Sequence, residues 1–589
     1  MGNFVGELKR RNVFRVAIAY GAVSWLLLQA CGLIFEAFDL PHIAMRVVFV
    51  LLALGFVPAL IFSWAYELTP EGLKRDSDVD PTGSVARVTG RKLDFIIIGV
   101  LAATVGLLLV DRFMLSPRNL AAASAAASDA SASVSPSIAV LPFLDLSETK
   151  DQEYFSDGLS EELLDLLAQV PGLHVAGRTS SFSFKGKGAT IADIGKALNV
   201  ATVLEGSIRK SGDRIRITAQ LINVADDFHI WSKTYDRKLT DVFALQDEIA
   251  GAVVDALKLK LLPAQRPTVS RHFVPSAEAY DQFLLGRQSS RRRTQAALVG
   301  ALDAFHRAIA LEPNYAAAYT QLAYTEDENA YYATTVAAVT RAQQRALAAA
   351  DRAVTLDPTL AEAYAARGFL RTILGWDWPG AQADMAKAVA LNPDDPRALA
   401  NHALLLATLG RLPEAIAEMR KSIAIDPLAT PSWVLLSMLE AHQGDYMAAR
   451  QAANRVLAIA PDEGRMPAVL GFISQREGHP EIGRAEILRT PDEPQRLVNL
   501  AIVEHELGHA AASQQALDAL IAKYSAGWAV QIGQVYGWRG EKDRAFEWLD
   551  RAYAQRDRGL TRLKYDSTYH PLQDDPRYKA LLKKMGLPE

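Results

Sequence analysis

Hydrophobic positions change their rhythm twice along this chain. In the first 115 residues they form unbroken apolar runs at 16–35, 47–66 and 95–110, none with a charged side chain. Each comes near the ~20 apolar residues that cross a bilayer core. The pattern therefore predicts three transmembrane helices, at about 16–35, 45–66 and 93–112 of a membrane domain 1–115. Lys9, Arg10, Arg11 and Arg15 precede the first run, and Lys74, Arg75, Arg87, Arg91 and Lys92 lie between the second and third. Residues 39–42, between the first two, have neither lysine nor arginine. The positive-inside rule then puts the N-terminus and the 67–92 loop in the cytoplasm and everything after residue 115 on the far side of a bacterial inner membrane, in the periplasm. Arg112 and Arg118 oppose that order.

From 116 to 136 the chain is mostly alanine and serine, the composition of a flexible linker. Residues 137–264 then mix two periods. SIAVLPF reads as a buried strand, 154–170 as a helix with Leu159, Leu163, Leu166 and Leu167 on one face, and LHVAG as a short strand. Residues 191–198 form a second helix. ATVLEGSIRK, RIRITAQLINV and HIWSKTYDR follow as three strands, the first two joined at Ser211-Gly212, and 241–262 closes the block as an amphipathic helix. This is the pattern of a compact α/β domain.

Beyond Pro275 the helical period takes over and itself recurs. Pro358, Pro393, Pro427 and Pro461 stand 35, 34 and 34 residues apart, closing the phrases AVTLDP, AVALNP, SIAIDP and VLAIAP. Gly375, Gly410, Gly444 and Gly478 keep the same intervals out of phase. A small residue follows five places later at Ala415, Ala449 and Gly483, but one place late, at Ala381, after Gly375. Such a period predicts one helix–turn–helix per repeat, with glycine ending the first helix and proline stopping the second. The small residue marks where the two helices approach most closely. Pro313 and Pro358 are 45 apart, so an eleven-residue excess is expected in an inter-helix turn around EDENAYYATT. Gly508 with Ser513, and Gly540 with Ala545, extend the rhythm to roughly seven or eight units over 275–557, with 558–589 as a capping segment. The pattern resembles the tetratricopeptide repeat family, although that family's leading tryptophan is replaced here by Leu399. The resemblance implies stacked helix pairs whose concave wall binds a peptide or a protein.

Two further resemblances bear on organisation. SIAVLPFLDLS, EYFSDGLSEEL, GRTSSFSFKG, LEGSIRKSGDRIRITAQLI and WSKTYDRKLTDVFALQDEIA resemble the α/β domain of TolB-like and FlgO-like envelope proteins. In that family the domain precedes tetratricopeptide repeats and follows a nucleotide-cyclase domain, a winged helix or a membrane module. ELKRRNVFRVAIAY and WAYELTPEGLKRDSDVD resemble the membrane module, and neither of the other two is found in this sequence. Residues 28–31 also resemble a lipoprotein cleavage box, with Gln29 out of pattern.

Composition narrows the chemistry. A formal net charge of −4 over 589 residues gives no field for nucleic acid. A single cysteine, Cys31, rules out an intrachain disulfide or a cysteine-built zinc site. His505-Glu506-Leu507-Gly508-His509 matches the zinc-protease pattern, which needs both histidines on one continuous helix, but Gly508 falls in register with the repeat-turn glycines. Asp157, Glu161 and Asp165 lie at i, i+4 spacing and are expected on one solvated helix face. GRTSSFSFKGKG, with Arg178, Lys185 and Lys187, lacks the spacing of a phosphate loop and reads as a contact or structural loop. Arg291–Arg293 read as a solvated helix end, and Trp376 and Trp378 as packing between repeats.

The fold class expected is therefore multidomain: three transmembrane helices, a small α/β domain and an all-α tetratricopeptide-repeat solenoid. The function expected is that of a non-catalytic, inner-membrane-anchored scaffold in envelope assembly. It would need no cofactor, metal or small-molecule substrate, and would touch the bilayer through its three helices. A protein or peptide would sit against Asn401, Leu405, Trp433, Leu436 and Glu440, on the first helices of the central repeats. A signal transducer working through the 67–92 loop and a metalloprotease at His505–Glu506–His509 are the alternatives.

Overall fold

The computed structural model describes residues 136–257, 275–332 and 336–588, together with Tyr20, Ser24, Leu52, Phe56, Tyr66–Thr69 and Gly72–Arg75. Contacts divide the chain into two units, Met1–Ser133 and Val134–Glu589. In the first, β1 (Tyr66–Thr69) and β2 (Gly72–Arg75) pair as an antiparallel hairpin. The three apolar runs otherwise lie outside the described residues. Among the described residues no helix is long and apolar enough to cross a membrane. Residue 66, which hydropathy assigns to the end of the second span, instead opens a strand. The expected fold class is corrected accordingly: the described residues hold a small sheet domain and a helical repeat region, and none of the three transmembrane helices expected at 16–35, 45–66 and 93–112 is among them. The physical reason is that a hydropathy run records which side chains avoid water. It leaves open whether the backbone closes its hydrogen bonds within one helix or across strands. The longest described helix, Val336–Leu356, has 21 residues but carries Arg341, Arg345, Asp351 and Arg352. The bilayer contact and the periplasmic placement lose the support they drew from those spans.

The sheet domain comprises β3 (Ser137–Val140), β4 (Leu144–Asp145), α1 (Glu153–Ala168), β5 (His174–Val175), α2 (Arg178–Phe182), α3 (Ile191–Leu198), β6 (Thr202–Ser211), β7 (Arg214–Asn223), β8 (His229–Lys238) and α4 (Val242–Ala256). The sheet order is β5-β3-β6-β7-β8, with β4 also paired to β6. β3 runs parallel to β5 and β6, while β6, β7 and β8 form an antiparallel meander. Alternation selects the faces. Ile215, Ile217, Ala219 and Leu221 of β7 are buried, while Arg214 and Arg216, alternating with them, share Asp236 at the surface. Leu159, Leu163 and Leu167 of α1 and Ile249 and Val253 of α4 cover the apolar face.

Among the described residues eight helix pairs follow. They are α5 (Ala277–Ser290) with α6 (Gln295–Leu311), α7 (Ala316–Ala330) with α8 (Val336–Leu356), α9 (Ala361–Leu370) with α10 (Trp378–Leu391), and α11 (Pro396–Thr408) with α12 (Leu412–Ile425). Then come α13 (Thr430–Gln443) with α14 (Tyr446–Ile459), α15 (Met466–Arg476) with α16 (Pro480–Ile487), α17 (Glu493–Glu506) with α18 (Ala510–Tyr524), and α19 (Ala529–Trp538) with α20 (Lys542–Ala554). Helices α8, α10, α12 and α14 each stop two residues before the ruler proline. Gly410, Gly444, Gly478, Gly508 and Gly540 take φ of 82°, 94°, 86°, 78° and 79°, the left-handed conformation that ends a helix. In several pairs the small residue on the second helix meets another one twelve positions earlier, as Gly483 meets Gly471 and Ala545 meets Gly533. The Ser437 hydroxyl donates to the Ala449 carbonyl at 2.8 Å, and Ser513 to Ala501 at 2.6 Å.

The late Ala381 has a structural cause. Helix α9 continues into a single π turn, Arg371–Gly375, which adds one residue. Trp376 rather than Gly375 therefore takes the left-handed position, at φ 52°, and Ala381 again follows it by five. The expected eleven-residue loop is also corrected. Its residues carry no helix breaker, so α7 runs to Ala330 and α8 resumes at Val336, and most of the excess lengthens helices.

The chain does not end at the eighth pair. Two 3₁₀ turns, Arg558–Arg562 and Ser567–Leu572, and α21 (Pro576–Lys584) turn back over the first helices of earlier repeats. Leu560, Leu563 and Leu572 are fully buried, and the Trp378 indole donates to the Met585 carbonyl at 2.8 Å. His442 of α13, 5% exposed, accepts the Ser567 amide at Nδ1. Its ring is flanked by Phe472 and Tyr565.

Two outcomes are expected. Gly444→Ala meets open space, so only the left-handed backbone opposes it, at about 1 kcal/mol. Gly471→Ala would set a Cβ 2.9 Å from the Gly483 carbonyl and force the helices apart, at about 1–3 kcal/mol. Urea unfolding of both variants ranks the two costs. The second outcome concerns pH. Burial lowers the His442 pKa to about 4, against the pull of Asp566. The unfolded chain therefore takes up the proton first as pH falls through about 6.5, and the stability held by neutral His442 drains away down to about 4. The urea midpoint of His442→Gln should fall less steeply with acid than that of the native chain; equal slopes would contradict this.

Candidate functional site

Helix α1 faces the repeats rather than water. Glu161 on it is 1% exposed and accepts from Arg178, Arg287 and Arg291. Burial alone would raise its carboxyl, yet Arg287, Arg291 and Arg178 together bring it down to about 2. Arg287 also reaches Glu162 at 3.2 Å. Around this cluster the Tyr154 hydroxyl donates to Asp281 at 2.7 Å, and Gln246 donates to the Tyr280 hydroxyl at 2.9 Å. Gly158 leaves room for Leu284, which any Cβ there would strike. These contacts fix the sheet domain to α5. The expected solvated face of Asp157, Glu161 and Asp165 is thus corrected for its first two members. Asp157 is held by Lys185 at 2.6 Å, and Asp157 and Glu161 are both buried.

A second attachment lies 246 residues further along the chain, in the turn from α12 to α13. The Gly177 amide donates to the Ile425 carbonyl at 2.8 Å. The Ser180 amide donates to Asp426 Oδ1 at 2.7 Å, and its hydroxyl donates to the same oxygen. The Leu428 amide returns a bond to Ser180 Oγ at 2.7 Å. Ser180 is fully enclosed, and a side chain at residue 177 would collide with Asp426. The GRTSS loop is therefore an intramolecular docking loop, with Arg178 serving the first attachment and Ser180 the second.

Between these two feet the first helices α7, α9 and α11 present polar side chains. Gln321 donates to Glu362 at 2.7 Å, and Arg397 lies 3.6 Å from the same carboxylate. Arg397, 56% exposed, stands over the Tyr324 ring at 5.0 Å. Asn401 donates to the Tyr324 hydroxyl at 3.4 Å and the Ala365 carbonyl at 3.5 Å. Asp165 of α1 lies within electrostatic reach of Arg287, Glu162 and Glu362. It keeps accessible surface, yet protein encloses it closely enough that desolvation pushes its carboxyl well above the usual range.

Of the five residues assigned from sequence, Asn401 lies on this wall. Leu405 is fully buried beside Trp376, Trp378 and Leu409. Leu436 packs with Leu406, Ile416 and Leu439. Trp433 is half-buried and donates to the Pro427 carbonyl at 2.9 Å, bracing the turn that carries Asp426. Glu440 is buried and paired with Arg420 at 2.8 Å. Gln321, Tyr324, Glu362 and Arg397 were missed. One signal was available: Glu362 and Arg397 stand 35 apart, at matching places in successive repeats.

The zinc-protease pattern is split by its glycine. Helix α17 ends at Glu506, Gly508 is left-handed, and His509 begins the next turn with Nδ1 on Glu504 at 2.8 Å. Glu506 pairs with Arg476. Among the described residues no group of three or more His, Cys, Asp or Glu is placed to hold a metal ion.

Residues 396–427, helices α11 and α12, match the tetratricopeptide repeat family. A Rhizobium meliloti (strain 1021) protein named "Putative adenylate cyclase 3" is 40% identical over 187 residues, 32% of this chain and 32% of that one. This chain thus matches about a third of that relative's length. Among solved structures, PilW, a type IV pilus biogenesis factor, is 18% identical with a TM-score of 0.30, covering 36% of this chain and 98% of its own. A tetratricopeptide repeat protein from Parabacteroides merdae is 16% identical with a TM-score of 0.29, covering 52% and 99%. Among the described residues the helical region is a stack of helix pairs, and the match to the tetratricopeptide repeat family is carried by one of them, α11 with α12.

Glu161→Gln removes the one charge that three guanidiniums share and leaves Arg287 enclosed without its main counter-ion. The expected cost is about 3–5 kcal/mol of unfolding free energy. A loss below about 1 kcal/mol in urea unfolding would show that this foot does not hold the domain.

Proposed function

We propose that this protein is a non-catalytic interaction scaffold whose repeats hold a protein or peptide partner. The observation that supports it is the accessible polar wall of Glu362, Arg397 and Asn401 on α9 and α11. Of the other first helices, α5 is covered by the chain's own sheet domain, and α13 and α19 meet its C-terminal segment. An accessible polar wall exchanges its water for a partner's backbone and side chains and keeps its hydrogen bonds on binding. The transducer alternative required a cytoplasmic loop between two spans and is not carried forward. The relative's name raises the cyclase question, and the non-catalytic reading predicts that the purified chain forms no cyclic AMP from ATP.

The experiment is site-specific photo-crosslinking in the native host. A photoreactive residue replacing Arg397 is expected to give discrete protein adducts, and one replacing the exposed Met447 of α14 is expected to give none. Adducts equal at both positions, or cyclic AMP formed above the blank, would overturn the proposal.

A further inference from the structure

The C-terminal segment leaves a cleft where it meets the repeats. The cleft holds about 800 Å³ between the start of α10, the turn from α11 to α12 and the end of α21, the size of a small-molecule site. Trp378, Leu409 and Leu587 form an apolar side and are themselves buried. Arg411, Lys564 and Lys583 bring three positive charges, and among the described residues no acid lines the cleft. Arg411 is matched by Glu414, at 2.7 and 2.5 Å. The two lysines are not matched. Lys564 Nζ donates to the Pro588 carbonyl at 2.7 Å, and among the described residues neither ammonium pairs with a carboxylate. The next residue, Lys584, instead turns to Asp550 at 3.3 Å. Backbone geometry builds the site. Gly410 makes room for the Lys564 stem, since a Cβ there would stand 2.9 Å from Lys564 Cε. Helix α21 ends at a left-handed Gly586, φ 68°, and the Leu587 amide returns to the Leu582 carbonyl at 2.9 Å, which brings Leu587 to the cleft beside Trp378. Burial lowers the Lys564 pKa, the direction of a cation short of a counter-ion.

We propose that this cleft binds a small soluble organic phosphate, a monoester whose phosphate pairs with Lys564 and Lys583 and whose organic group lies on Trp378, Leu409 and Leu587. The charge count selects the ligand. Two unmatched ammoniums call for about two negative charges, and a phosphate monoester carries nearly that at neutral pH in one compact group with three acceptor oxygens. Lysine meets phosphate as a point charge and imposes no planar fork. The apolar side then favours an ester over the free ion, because its organic group leaves water on binding. The cleft opens past the last turn of α11, whereas Arg397 stands in the first turn, so this site does not rest on the scaffold function above. The repeats supply one side of the cleft and the C-terminal segment the other. A ligand that bridges them stabilises the closed arrangement in proportion to its occupancy and tightens the cover over the first helices.

The test is isothermal titration calorimetry of the full chain with phenyl phosphate, phthalate and benzyl alcohol. Phenyl phosphate is expected to bind once per chain, phthalate more weakly, and benzyl alcohol, which keeps the ring without the charge, not at all. Lys583→Gln should weaken phenyl phosphate about tenfold or more. Lys584→Gln, one residue along and outside the cleft, should leave it unchanged. Lys583 is exposed, so its replacement spares the fold, and urea unfolding of the variant checks this. Phenyl phosphate should also slow hydrogen exchange in residues 576–588 of the native chain and not of Lys583→Gln. Absence of saturable binding, equal affinity for phthalate, or native affinity in Lys583→Gln would overturn the inference. Sedimentation with phosphatidylcholine vesicles that contain phosphatidic acid, without binding of phenyl phosphate, would assign the phosphate to a membrane lipid and overturn the soluble ligand.

Discussion

Asp426 is the hinge of the account. Its buried carboxylate, in the turn between the fourth and fifth helix pairs, accepts both the amide and the hydroxyl of Ser180 from the sheet domain. A buried acid unmatched by donors would cost several kcal/mol, and a buried serine without partners nearly as much as a lost hydrogen bond. Each residue therefore requires the other, across 246 positions of sequence. The same logic governs Glu161, which burial would neutralise and three guanidiniums keep charged. With one foot on α5 and the other beyond α12, the sheet domain arches over the helices between, and those helices keep the accessible polar wall.

The repeat array uses its inner surface in three ways. The sheet domain stands on part of it. The segment after Ala554 returns over α11, α13 and α19, with Trp378, His442 and Gln534 bonded to it. The stretch bearing Glu362, Arg397 and Asn401 stays accessible. Repeat arrays leave a long groove by construction, because each pair contacts only its neighbours. Here two other parts of the same chain shorten that groove, so the site is defined as much by what covers the repeats as by the repeats.

Much of the repeat region could be read from residue spacing. The prolines and glycines mark helix ends because each acts locally, proline through its missing donor and glycine through its left-handed backbone. The displaced Ala381 was a true signal of an extra residue. Only coordinates show that a π turn holds it and that Trp376, packed on Tyr553, bears the unusual φ. The face of Asp157 and Glu161 was misread, since charge at helical spacing does not say whether the neighbour is water or arginine; Arg287 and Arg291 are over 120 residues away. Four of the five assigned site residues pack between repeats, because period alone does not separate the groove side of a first helix from the side against the next pair. The apolar runs before residue 115 gave the firmest expectation, and the β-strand beginning at Tyr66 meets the end of one of them.

The most direct measurement is a double-mutant cycle between Ser180→Ala and Asp426→Ala, read by urea unfolding. Two-footed docking requires a coupling energy of about 1–3 kcal/mol between these distant positions. Additive losses, with coupling indistinguishable from zero, would mean that the sheet domain does not rest on the fourth repeat and that no arch stands over Glu362, Arg397 and Asn401.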